Sequence, residues 1–155
     1  MIRIRCIAII VCTLLLAACQ KDSGVSKIPH ISLLAFAPDS AMTVNVDTCF
    51  FYFSLVDGDA DIGDDSVSQI YLQDSRFTDL GFIKTPFPEI DIAIEDAKKG
   101  IEGKCLFIPF PQPTPRTDSL HAATGRDTLT YELYMKDRAG NESNHIVTHS
   151  FVIKT

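Results

Sequence analysis

Between Thr48 and Val56 the chain alternates so regularly that a strand is the only economical reading. Cys49, Phe51, Phe53 and Leu55 fall on one face, and Phe50, Tyr52 and Ser54 on the other. Bulk on both faces predicts a central strand, covered on both sides or carrying a partly exposed aromatic row. A strand of this kind cannot be stable alone and needs a second apolar layer to close on. It runs straight into Asp57-Gly58-Asp59-Ala60-Asp61-Ile62-Gly63-Asp64-Asp65, five carboxylates in nine residues.

The rest of the chain repeats the pattern in weaker form. Short runs of β-branched and aromatic residues alternate with turn formers, and helical periodicity is absent except in one ambiguous stretch. Candidate strands are 31–37, 67–73, 81–83, 104–110, 128–136 and 146–154, with 42–46 as an edge piece. Leu129, Tyr131, Leu133 and Met135 should face inward, as should Val147, Phe151 and Ile153. Residues 90–101 fit either a strand or a helical face, with strand or irregular structure favoured. Pro109, Pro111, Pro113 and Pro115 stop one strand and open a long polar connection to about residue 127. About seven strands and no internal repeat predict a single all-β domain, an antiparallel sandwich, over 30–155.

Residues 1–18 read as a signal peptide. Arg3 and Arg5 precede an apolar core too short for a comfortable membrane span, with no basic stop-transfer cluster after it. Leu16-Ala17-Ala18-Cys19 resembles a bacterial lipobox, which implies lipidation of Cys19 and attachment to a membrane through acyl chains. The alternative is an ordinary cleaved signal with a chance cysteine. Cys19-Gln20-Lys21-Asp22 resembles the lipoprotein export signal of Bacteroidota, implying the outer membrane and display at the cell surface. Residues 19–29 would be the lipidated cysteine and a polar tether. Losing Arg3 and Arg5 takes 14 basic residues to 12 against 20 acidic ones, a net charge near −8. That balance disfavours nucleic acid as a partner, and polybasic docking to anionic lipid.

Asp137-Arg138-Ala139-Gly140-Asn141-Glu142-Ser143 before a last strand resembles the terminal hairpin of bacterial Ig-like, fibronectin type III-like domains. The acidic loop resembles the Asp-Gly-Asp-Gly-Asp-Leu-Gly stretch of small Bacteroidota lipoproteins. The resemblance implies an Ig-like sandwich and a cell-envelope role as a binding or structural module, with a protein or glycan as its unidentified partner.

Calcium takes six to eight oxygens, and aspartates separated by small residues can wrap one ion. Asp57, Asp59, Asp61 and Asp64 or Asp65 are candidate ligands. The loop is not an EF-hand, since Ile62 and Ser68 stand where that motif needs glycine and glutamate. The competing reading is a solvated acidic turn, because like charges in water repel by about 1 kcal/mol or less per pair. In an Ig-like sandwich the loop after the second strand and the last hairpin share one end, which would bring Asp137 and Asn141 to the same pole. Asp137 could instead simply cap its own turn.

Cys6 and Cys12 leave with the signal. Cys49 and Cys105 remain, both on predicted strands, as a disulfide or as two buried thiols. His145 and His149 lie about 13 Å apart on a strand, too far to share a metal. His30 and His121 sit in connectors. No nucleophile elbow or phosphate-binding loop is present, so the sequence argues for a non-enzymatic protein.

Overall fold

The computed structural model describes residues 24–63, 67–87, 99–117 and 124–155. The signal peptide, Cys19, Asp64, Asp65, His121 and most of the ambiguous stretch at 90–101 lie outside them. Ten strand segments are present: β1 (His30–Ala37), β2 (Ala41–Thr43), β3 (Phe50–Asp57), β4 (Gln69–Asp74), β5 (Ile83–Pro86), β6 (Ile101–Phe107), β7 (Arg126–Leu129), β8 (Tyr131–Lys136), β9 (Ile146–Val147) and β10 (Phe151–Lys154).

Six of these segments are halves of three longer runs that cross between ladders. β1 stops before Pro38, which cannot donate to a ladder, and β2 resumes at Ala41. β7 passes to β8 across Thr130, and β9 to β10 across residues 148–150. The described chain therefore makes seven strand runs, as its sequence pattern predicts. One layer is β1-β3-β6. The other combines β5-β4-β8-β9 with β2-β10-β7, joined through the β7–β8 and β9–β10 runs. β2 pairs β10 in parallel while the other pairings are antiparallel. A first strand shared between two layers, and a second strand flanked by the first and the fifth, give a β-sandwich.

The predicted inward face of β3 is the core. Cys49, Phe51, Phe53 and Leu55 are all buried, while Phe50, Tyr52 and Ser54 are half-buried on the outer side. Leu129, Tyr131, Leu133 and Met135 face them from the second layer, with Phe151 and Ile153. Phe36, Phe51, Phe151 and Tyr131 interlock with ring centroids 4.9–5.9 Å apart. Val147 departs from expectation, being 60% exposed with Ile146 inward instead. The break before β10 changes the phase of the alternation there. Tyr131 and Thr148 staple the two runs at their crossings, each donating its N–H to the other residue, Tyr131 to the Thr148 hydroxyl and Thr148 to the Tyr131 carbonyl, both at 2.9 Å.

The layers are also tied at the edge by Asn144. Its side-chain oxygen accepts the Ile31 N–H and its amide donates to the Ile31 carbonyl, both at 2.8 Å. Ile31 is fully buried. Asn144→Ala therefore orphans a buried donor and acceptor and should cost about 2–3 kcal/mol. Urea unfolding should show a lower midpoint with an unchanged slope.

The Cys49–Cys105 disulfide is corrected by the register. β3 sets Phe53 opposite Cys105, four residues along the strand from Cys49. That offset is about 13 Å, against the 4.4–6.8 Å between Cα atoms that a disulfide spans. Both cysteines are free thiols, and burial pushes the Cys49 thiol up to about 12.

Candidate metal centre and an opposite cleft

β3 ends with Asp57 turned inward, the last buried position of its alternation, so a carboxylate takes the place of a core side chain. The loop then folds back on itself. Ala60 takes a left-handed conformation with φ of 54°, and Ile62 drops into the core. That one apolar residue in the acidic run pins the loop against the domain.

The result brings one oxygen from each of Asp57, Asp59 and Asp61 within 4.8 Å of one another. Two of the three carboxylates also accept backbone hydrogen bonds through Oδ2. Asp57 Oδ2 accepts the Asp61 N–H at 3.1 Å, and Asp61 Oδ2 accepts the Ala139 N–H at 2.9 Å. Oδ1 of all three aspartates is buried and accepts no hydrogen bond from the described residues. A buried carboxylate oxygen without a donor is strongly disfavoured, and three aimed together are more so. A divalent cation removes both penalties. The donor set is oxygen only, which suits calcium or magnesium over zinc or copper, and a calcium shell with oxygens 2.3–2.6 Å out spans the observed separation.

Burial, followed by repulsion from Asp59 and Asp61, pushes the Asp57 carboxyl up to about 7. Asp61 is raised by burial, then by Asp137 and Asp59. Asp137 is fully buried beside the cluster but is committed to its own turn. It accepts the Asn141 N–H at 2.7 Å through Oδ1 and the Asn141 side-chain amide at 2.8 Å through Oδ2. Of the seven candidate ligands, three converge, Asp137 and Asn141 pair with each other one layer behind, and Asp64 and Asp65 lie outside the described residues. The shared pole is as expected, since Asp61 and the hairpin bond directly: the Asp61 carbonyl accepts the Arg138 N–H and Nε, both at 3.0 Å.

At the other end of the sandwich lies a feature that sequence reasoning missed. A cleft of about 560 Å³ opens between β4, β5 and the proline-rich segment 109–115. Leu72, Phe77, Leu80, Ile83, Phe107 and Phe110 supply its apolar walls, and Phe110 is 92% exposed. Its floor is a buried ionic network. Arg76 bonds Asp74 at 2.6 Å and Asp127 at 2.8 Å, and Arg116 bonds Asp127 at 3.0 Å. Gln112 fixes the proline segment by accepting the Cys49 N–H at 2.6 Å and donating to the Pro109 carbonyl at 2.7 Å. Prolines at every second position were the available signal, because they set an extended segment with few donors of its own.

The histidines serve separate surface contacts. His145 bridges Glu132 and Glu142, and stacks on Tyr134 with centroids 4.4 Å apart. His149 meets the Pro38 carbonyl at 3.0 Å. Comparisons with protein-family models, curated proteins and solved structures find no match to the chain.

Proposed function

We propose that the chain is a lipid-anchored lipoprotein of the outer membrane, displayed at the cell surface, whose Ig-like domain is a calcium-stabilised, non-enzymatic binding module. The polarity of the domain carries the reading. β3 runs from Phe50, next to Cys49 beside the cleft, to Asp57 in the acidic cluster, so cleft and cluster lie at opposite ends. The described chain enters at the acidic end, where the Ser26 carbonyl accepts the Gly58 N–H at 2.8 Å. An anchor at Cys19 leaves five residues before Gly24, a reach of at most about 18 Å. The acidic pole then faces the bilayer and the cleft points away from it.

The cleft favours an uncharged partner. Arg76 and Arg116, which line it, are both paired with carboxylates, and the rest of its lining is largely aliphatic, aromatic and proline surface. Contiguous exposed apolar surface of this kind marks interaction sites. It argues against acid–base chemistry there too. Burial alone would raise the Asp127 carboxyl, but hydrogen bonds from Arg116 and then Arg76 hold it well below the usual carboxylate range. It stays ionised at physiological pH and has no proton to give. An extended protein segment with apolar side chains fits best. The second reading, a glycan-binding accessory protein of a polysaccharide-capture system, is favoured by Phe110, whose exposed ring could stack on a sugar.

Two measurements test this. Cys19→Ala should abolish acyl labelling and move the protein from the membrane to the soluble fraction. Titration of the purified protein against apolar peptides and an oligosaccharide panel should find peptide binding that Phe110→Ala weakens about tenfold. Oligosaccharide binding lost in the same variant would favour the glycan reading, and failure of both panels would remove the cleft from the proposal.

A further inference from the structure

We propose that the cation couples the N-terminal segment to the hairpin between β8 and β9, so that residues 24–29 are held against the domain while the acidic site is filled and released when it is emptied. The inference rests on the calcium reading above and adds a regulated joint where the chain enters the domain.

The geometry is that of one loop gripped from two sides. Gly58 directly follows the ligand Asp57 and carries the tether on its N–H. A Cβ at Gly58 would lie 2.4 Å from the Val25 carbonyl oxygen and 2.6 Å from that of Ser26. Only glycine lets residues 25–26 pass this close. On the other side, Asp61 receives Arg138 and Ala139 of the hairpin through three hydrogen bonds of 2.9–3.0 Å. Between these grips, Asp57, Asp59 and Asp61 each bring one carboxylate oxygen to within 4.8 Å of the others, and each keeps a buried Oδ1 with no hydrogen bond from the described residues. Mutual repulsion works to open the loop, and opening it moves Gly58 and Asp61 apart and strains both grips at once. An ion bound to all three oxygens fixes the loop and with it the tether and the hairpin. Because coupling free energies are reciprocal, displacing the tether must weaken the ion by the factor with which the ion tightens the tether.

Hydrogen exchange on the full chain, in calcium and in EDTA, provides the test, beside a calorimetric calcium titration. Calcium should slow exchange about tenfold or more at residues 25–28, Gly58, Arg138 and Ala139, and much less at the cleft end near Cys49 and Thr130. Deleting residues 24–27 should weaken calcium binding about tenfold, and Gly58→Ala should do the same by excluding the segment sterically. The deletion keeps the test informative should Gly58→Ala fail to fold. Calcium binding with uniform protection, or unchanged affinity in the deletion, overturns the coupling and leaves the calcium reading standing. No binding in the intact chain overturns both.

Discussion

Calcium at about a hundred times its dissociation constant should stabilise this domain by about 2.7 kcal/mol at pH 7.5, a rise of roughly 10 °C in Tm for a chain of this size, and should do far less at pH 5. The sign follows from Asp57. Its carboxyl in the folded, metal-free protein titrates at about 7, above the 3.9 of an unfolded aspartate. A raised folded value makes a contribution that is complete below about pH 4 and is lost as pH climbs to 7. Without metal, the domain therefore loses stability across that window from this group alone. A cation replaces the proton, so its effect is largest where the proton has gone. Asp57→Asn should flatten both the metal-free pH profile and the calcium response. Thermal unfolding at the two pH values, in calcium and in EDTA, decides the matter. A metal-free profile flat from pH 5 to 7.5 together with no calcium shift would sink the assignment.

Much of this pole was legible in the chain. The alternation of β3 places Asp57 inward by simple parity, and the density of aspartates after it announces a cation or a repulsive loop. What parity cannot supply is the choice among carboxylates. Asp59 and Asp61 join Asp57 because Ile62 anchors the loop and Ala60 takes a left-handed turn, neither of which has a periodic signature. Asp137 stays in its own turn because both its carboxylate oxygens accept from Asn141, four residues on, a local pair that wins over the more distant cluster. The cysteines illustrate the opposite limit. Two strands and an oxidising address suggested a bond, yet only the pairing of Phe53 with Cys105 reveals the offset, and register across 56 positions is a tertiary fact. Val147 fails for a related reason: a run that changes ladders loses the phase that its continuous sequence implies. The cleft was least visible, since the prolines that wall it look locally like a connector, and its floor joins Asp74 and Arg76 to residues some fifty positions away.

That floor should be the most sensitive polar site in the domain. Asp127→Ala is expected to cost about 3–5 kcal/mol, because it leaves the Arg76 guanidinium buried with one of its two carboxylate partners gone. The Arg76 side chain is 4% exposed and that of Asp127 only 1%, so water cannot compensate and salt screens little. Oδ2 of Asp127 alone receives Arg76 at 2.8 Å, Arg116 Nε at 3.0 Å and the Arg116 N–H at 3.1 Å. Oδ1 takes the Thr128 N–H at 3.0 Å. The pH response runs opposite to that of the acidic pole. A folded pKa held below the unfolded value contributes stability above about pH 4 that is lost only as pH falls through the folded value, so this network fails in strong acid. Urea unfolding of Asp127→Ala, Arg76→Met and the pair measures the effect. The double variant should lose clearly less than the two single losses summed, since removing both charges strands neither. A loss below about 0.5 kcal/mol in Asp127→Ala would mark the network as no better than a surface ion pair. Arg76 also holds the Thr114 carbonyl at 2.9 Å and so fixes the proline wall of the cleft. An Asp127→Ala protein that still folds should therefore lose peptide binding along with stability, tying the integrity of the floor to the shape of the surface above it.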